Sequence, residues 1–290
     1  MKDHLISIAQ LIILTAVLSG CSNLLFFPLK THLHTPDELN LAFEDVIIDT
    51  ADNEQLHAWW FPSSTPTKPL GTILFLHGNA ENISTHFASI AWLPKEGYNV
   101  LALDYRGYGR STGEPDLKGA LTDIDAAFNW LMTNKSELAP FIILGQSIGG
   151  ALTLSFVGNS EIAQSNTKAL IIDSGFESFQ GIAREKLATF WLTWPLQYPL
   201  SWLITSAYDP IWVIQNIKPI PILYIHSIND QVIPYEHGKK LHELSMPTAT
   251  LLTTNAPHIS SFMLQSARQS TLEYLHKMIE ADGYQTTLSP

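Results

Sequence analysis

A serine hydroxyl attacks well only when a neighbouring base takes its proton, and the base works best when an acidic group fixes its tautomer. Ser147, Asp230 and His258 are of the right types for those three parts. Ser147 stands in Gly145-Gln146-Ser147-Ile148-Gly149, directly after the apolar run Phe141-Ile142-Ile143-Leu144. An apolar strand running into G-x-S-x-G is the pattern of a sharp strand-to-helix turn that lifts the seryl oxygen to the strand's tip. A side chain at either flanking glycine would clash across so tight a turn. The same pattern also suits a serine that only caps the following helix, so the surrounding elements must decide.

Those elements repeat along the chain. Asp45–Thr50 and Leu56–Phe61 read as strands around the turn-forming Asp52-Asn53. The β-rich run 72–76 leads into His77-Gly78-Asn79-Ala80, and a helix is expected from Ile83 to Glu96. A strand over 98–104 feeds the glycine-rich loop Tyr105-Arg106-Gly107-Tyr108-Gly109-Arg110-Ser111. Next, Leu117, Ala120, Leu121, Ile124, Ala127, Phe128 and Leu131 fall at helical spacing. The interval Gly107-x-Gly109-x-x-x-Gly113 is wrong for dinucleotide binding and suits a tight turn. Further strands are expected over 168–173, 221–226 and 249–253, with helices through His237 to Leu244 and from Ser260 to Ile279. Strands alternating with helices imply an α/β fold, with a mostly parallel sheet covered on both faces.

The rhythm breaks between Phe176 and Trp212, where Phe190, Trp191, Trp194, Tyr198 and Trp202 accompany Pro195 and Pro199. The stretch is too long for a simple connection and reads as a cap inserted over 176–212. Its aromatics are expected either to pack or to line a substrate surface. Asp230 and His258 each follow an expected strand, where the carboxyl ends of parallel strands bring loops together. Backbone N–H groups of Ile148 and Asn79 are the expected oxyanion donors, with Ala80 as the rival to Asn79.

With 27 acidic residues against 16 basic ones the net charge is -11. That argues against a nucleic-acid partner, which needs a basic face. Charged residues are only 15% of the chain, and there are 8 Trp. So lightly charged a globule is expected to keep apolar surface for a ligand or a membrane. His226, His237 and His242 show no metal-binding spacing, and neither a metal nor a cofactor is expected.

Lys2 precedes the apolar run 5–18, which ends in Ser19-Gly20-Cys21. The run is short for a bilayer span and has the order of a secretory signal. Leu18-Ser19-Gly20-Cys21 resembles the lipobox of bacterial lipoproteins, and Cys21 is the only cysteine. The resemblance implies a signal peptide over 1–20, acylation of Cys21 with chains of the palmitate type, a tether over 21–42 and a domain over 43–290. It implies a lipid-anchored protein of the bacterial cell envelope, and Ser22 favours the outer membrane over the inner. The alternative is an ordinary signal or membrane anchor with a chance cysteine.

Leu76-His77-Gly78-Asn79-Ala80, the run Asp104 to Ser111, Gly145 to Gly150 and Asp230-Gln231-Val232-Ile233-Pro234 together resemble the alpha/beta-hydrolase superfamily. Within it they are most similar to the small serine hydrolases of the ABHD and BEM type. The resemblance covers Phe43 to Ile279 and implies the chain order Ser, Asp, His for a catalytic triad. It also implies an acyl-bearing or small-molecule substrate, an ester or a thioester. Glu81 departs from the small residue common after the Asn-Ala pair, and a carboxylate there would disfavour anionic substrates. Two other readings stand beside this one. An aminopeptidase would draw on Glu177, Glu185 and Asp209 to hold a substrate amine, and a non-catalytic lipoprotein would use the fold only to bind a partner.

Overall fold

The computed structural model describes residues 25–217 and 219–280. The expected signal peptide and Cys21 lie outside the described residues. Strands β1 (Glu44–Asp49), β2 (Gln55–Phe61), β3 (Gly71–Leu76), β4 (Tyr98–Leu103), β5 (Phe141–Gln146), β6 (Thr167–Asp173), β7 (Ile222–Ser227) and β8 (Ala249–Thr254) form one sheet. Their spatial order is β1-β2-β4-β3-β5-β6-β7-β8. Only β2 runs against its neighbours; the remaining pairings are parallel. The central strands β3, β4, β5 and β7 are buried along their whole length, whereas edge strand β1 alternates between solvent and core at its inner end. That is the division expected when helices cover both faces of a parallel sheet and a hairpin closes one edge.

Successive residues of a strand serve opposite layers. Leu74 and Leu76 of β3 pack in the layer that holds α1 (Leu117–Asn134) and α2 (Ile148–Asn159). Ile73 and Phe75 face the layer that holds Ile83, Phe87 and Leu93. The expected stripe of α1 is buried at Leu117, Ala120, Ile124, Ala127, Phe128 and Leu131, and Asp116 caps the helix by accepting from Gly119 N–H at 3.0 Å. Gly107 and Gly109 have φ of 83° and 48°, as a tight turn requires. Between β6 and β7 the cap region carries α3 (Phe179–Thr189) and α4 (Gln197–Ser201). α5 (Tyr235–Leu244) and α6 (Gln265–Glu280) complete the helices that frame the site.

Two expectations are corrected. The helix expected over 83–96 is broken into Ile83–His86, a 3-10 turn Phe87–Ser89 and a second 3-10 turn Leu93–Glu96. Pro94 lacks the N–H needed to continue a helix from residue 90, and Gly97 at φ 91° ends the last turn. The tether expected over 21–42 is, from residue 25 onward, part of the folded body. Phe26 is buried edge-on to Tyr108, Phe27 and Pro28 pair with Ala80 and Glu81, and Asn82 Nδ2 donates to the carbonyls of Leu29 and Thr31 at 2.8 Å each. Leu25 and Phe26 are too apolar for a free linker, and they fill the groove beside the loop after β3.

This strap predicts a measurable stability term. Phe26→Ala is expected to cost about 3 kcal/mol, the usual range for emptying a buried aromatic site, seen as a lower urea midpoint at unchanged slope. An unchanged midpoint would mean that the strap is not part of the cooperative unit.

Candidate active site

The turn after β5 is strained in the way the sequence suggests. Ser147 has φ 55° and ψ -119°, a region that costs about 1–3 kcal/mol outside glycine. A Cβ on Gly145 would lie 2.3 Å from Gly149 O, and one on Gly149 would lie 2.2 Å from Leu76 O. The first turn of α2 is therefore pressed onto the ends of β3 and β5. Ser147 stands at the N-cap position of α2, yet its side chain makes no capping bond. The hydroxyl instead lies 3.0 Å from His258 Nε2.

His258 follows β8, and its Nδ1 lies 2.7 Å from Asp230 Oδ2. With Nδ1–H donating to Asp230, Nε2 is left to accept the proton of Ser147. Asp230 Oδ1 accepts from the N–H groups of Val232 and Ile233, each at 2.8 Å. Burial opposes its charge, but His258 and the two N–H groups outweigh burial and hold the carboxyl at about 2. Asp230 thus stays ionised while it orients the imidazole. The structure brings together all three residues singled out from the sequence.

A buried brace holds this arrangement and was not anticipated. Gln146 Nε2 donates to Asp173 Oδ2 at 2.9 Å and to Ile259 O at 3.3 Å, while Ser261 Oγ donates to Asp173 Oδ1 at 3.0 Å. Strand ends β5 and β6 are so tied to the loop carrying His258. Burial pushes the Asp173 carboxyl up to about 6, against the pull of Gln146 and Ser261. The only trace in the sequence is an aspartate ending an apolar strand.

Across from Ser147, the loop after β3 is held from below. His77 Nδ1 donates to Gly78 O at 2.7 Å, which turns the Gly78–Asn79 peptide, and Asn79 O accepts from Phe27 N–H at 2.8 Å and Tyr108 Oη at 2.6 Å. Ile148 is the first residue of α2, so its N–H has no partner within the helix. Ser147, Ile148 and Asn79 line one cavity of about 590 Å³; Ala80, the rival donor, does not line it. Glu81 is exposed with φ 64° and is absent from the lining, so its carboxylate does not face the substrate space.

Asp104 sits below this loop, donated to by Ile83 N–H at 2.8 Å and flanked by His32, His57 and His77. Burial opposes its charge, and the three imidazoles hold it far below the usual carboxylate range. Among the described residues, the ligating atoms of His32, His57 and Asp104 lie within 4.8 Å of one another, close enough to be drawn onto a metal ion. None of the three lines the cavity.

Residues 67–219 match the family described as "Serine aminopeptidase, S33". The chain is 33% identical to the uncharacterised protein YfhR of Escherichia coli K12 over 83% of this chain and 81% of that one. It is 30% identical to the alpha/beta hydrolase domain-containing protein WAV2 of Arabidopsis thaliana, over 82% of this chain and 76% of the relative. The chain belongs to the alpha/beta-hydrolase superfamily. Among solved structures, the Pyrococcus furiosus esterase Pf2001 shares the fold with a TM-score of 0.69 at 24% identity, over 87% of this chain and 97% of that one.

Within this hydrolase, the carboxylates considered for holding a substrate amine are otherwise engaged. Glu177 and Glu185 both bind His237, at 2.5 and 3.0 Å, and Lys240 takes the other oxygen of Glu177 at 2.9 Å. Asp209 is buried, accepting from Ser178 Oγ at 2.5 Å and Phe179 N–H at 2.7 Å at the start of α3. None of them lines the cavity.

The His237 clamp ties α3 to α5 and gives the cap a pH dependence. Burial opposes the charge on His237, but Glu177 and Glu185 raise its pKa above 6.5; burial likewise opposes Glu177, which His237 and Lys240 hold at about 2. The raised histidine contributes stability below its unfolded value of 6.5, lost as pH rises through the folded value. The lowered glutamate contributes above 4.5, lost as pH falls toward about 2. The clamp is therefore strongest between 4.5 and 6.5. Limited proteolysis of the cap is expected to be slower at pH 6 than at pH 9, and His237→Gln should remove the difference; an undiminished difference in the variant would contradict the clamp.

Proposed function

We propose that the protein is a serine hydrolase that cleaves carboxylic esters or thioesters with apolar acyl groups through an acyl-enzyme. The observation that carries this reading is the hydrogen-bonded line from Ser147 Oγ to His258 Nε2 at 3.0 Å and from His258 Nδ1 to Asp230 at 2.7 Å, at the wall of an apolar cavity. Ser147 Oγ attacks the acyl carbon as its proton passes to His258 Nε2. The developing oxyanion is held by the N–H groups of Ile148 and Asn79. His258 then gives the proton to the leaving oxygen or sulfur, the acyl–leaving-group bond breaks, and the acyl group remains on Ser147. Water, deprotonated by the same imidazole, releases the acid and restores the serine.

The cavity's lining supports an acyl chain over an amine. Phe176, Ile182, Leu187, Leu200, Ile204 and Ile233 contribute to it, and Lys186 is its one charged residue, bonded through Nζ to Val232 O. A substrate ammonium would find no carboxylate among these residues, which disfavours the aminopeptidase reading that the family's description raises. A volume of about 590 Å³ is in the usual range for pockets that enclose a whole small ligand. Cys21 is the proposed lipid attachment point, and the bacterial envelope, with the outer membrane favoured, is the proposed location.

A panel of 4-nitrophenyl esters beside aminoacyl anilides tests the assignment. Esters are expected to turn over and anilides not, with kcat/KM rising from acetyl to octanoyl by up to about fourfold per methylene, the equivalent of ~0.8 kcal/mol of burial each. Ser147→Ala and Asp230→Asn should each lower kcat on the order of 10⁴-fold. Faster cleavage of anilides than of esters would favour the peptidase instead.

A further inference from the structure

Phe176 lines the cavity and Phe179 packs in the core, but most of the cap's other aromatics do neither of the two things expected of them. Phe190, Trp191, Leu192, Trp194 and Trp202 are exposed by 51%, 77%, 57%, 60% and 68%, and none of them lines the cavity. Residues 187–208 contain no charged side chain at all, in a chain of net charge -11. So large an uncharged aromatic surface is unusual on a protein that meets only water.

Its position relative to the cavity is informative. Thr193 and Leu200 line the cavity, while their close neighbours Leu192, Trp194 and Trp202 face outward. Phe27, on the N-terminal strap, also lines the cavity and is itself 62% exposed. Cap and strap thus each set exposed apolar side chains beside residues that line the cavity, the arrangement that a collar around its opening would have. Leu25, the first described residue, also lines the cavity, and Cys21 stands only four positions before it. At ~3.5 Å per residue, four residues of chain span at most roughly 14 Å. Any membrane attachment made by Cys21, or by the apolar run 5–18 before it, would start close along the chain to the cavity wall.

We propose that the collar of Phe27, Phe190, Trp191, Leu192, Trp194 and Trp202 sits in the boundary between headgroups and acyl chains of a phospholipid bilayer. The cavity then opens onto the membrane, and, resting on the hydrolase reading above, its substrate is an amphipathic ester that resides in the bilayer. The acyl chain enters from the apolar side and the polar leaving group departs to water. Tryptophan favours this boundary because its ring is apolar and its N–H is polar. The acidic net charge means that apolar insertion, not attraction to anionic lipid, supplies the hold, so binding should persist in neutral lipid and in salt.

The test uses the full chain in phosphatidylcholine vesicles whose acyl chains carry bromine, which quenches tryptophan on contact. The wild-type protein should lose fluorescence, equally at low and high salt. Trp191→Ser with Trp194→Ser should lower cleavage of a long-chain ester embedded in the vesicles about tenfold or more, while cleavage of dissolved 4-nitrophenyl acetate is unchanged. Absence of quenching, or an equal loss on both esters, would overturn the proposal. So would tryptophans shielded from aqueous acrylamide yet blind to the brominated lipid, in a dimeric particle, because a second copy would then cover the collar. If the wild type cleaves neither ester, the hydrolase reading and the substrate half of the proposal fail together, and the quenching still judges the collar by itself.

Discussion

The contact between the first turn of α2 and the ends of β3 and β5 is the constraint on which the rest of the site depends. Gly145 and Gly149 leave no room for a Cβ on either side of that contact. The chain can pass between them only by placing Ser147 at φ 55° and ψ -119°. Such a conformation costs on the order of 1–3 kcal/mol and persists because the buried helix and sheet around it are rigid. The consequence is chemical. The hydroxyl is denied the capping role that its place at the start of a helix would normally give it, and it reaches His258 instead.

Around that fixed oxygen, three separate loops are held at one edge of the sheet by buried polar groups. Asp230 is positioned by two backbone N–H groups, the His258 loop by Gln146 and Asp173, and the Asn79 loop by His77, Tyr108 and the N-terminal strap. The Asp230 turn is closed locally, whereas the Gln146–Asp173 brace and the contacts of Tyr108 and the strap join segments far apart in the chain, so the His258 and Asn79 loops are not free to drift alone. The His237 clamp does the same for the cap, which lets the cavity keep an apolar lining while the carboxylates nearby are neutralised outside it.

Ser147, Asp230 and His258 were legible because each is tied to a local signal, the end of an apolar strand, and because parallel strands must bring such ends together. The succession of strands along the chain and their burial followed from the same signals, whereas their spatial order in the sheet did not. The strap from Leu25 to Thr31 was not legible as structure, since its partners, Ala80 to Asn82 and Tyr108, are distant in sequence. In the segment 83–96, Pro94 keeps the last turn from joining a continuous helix, an effect that a run of apolar residues concealed. Asp173 and Gln146 look like ordinary strand residues until the fold sets them beside Ile259 and Ser261. The cap shows a different limit: its composition announced aromatic surface, but composition has no direction, and only the fold reveals that Trp191, Trp194 and Trp202 point outward.

The central claim is that Ser147 is a nucleophile because His258 is set to take its proton. The most direct measurement is mass spectrometry of the full chain after reaction with a fluorophosphonate, with the adduct located by peptide mapping. A single adduct on Ser147, formed far more slowly when His258 is replaced by Ala, is the predicted result. An adduct on another residue, or labelling of Ser147 at an undiminished rate in His258→Ala, would contradict it.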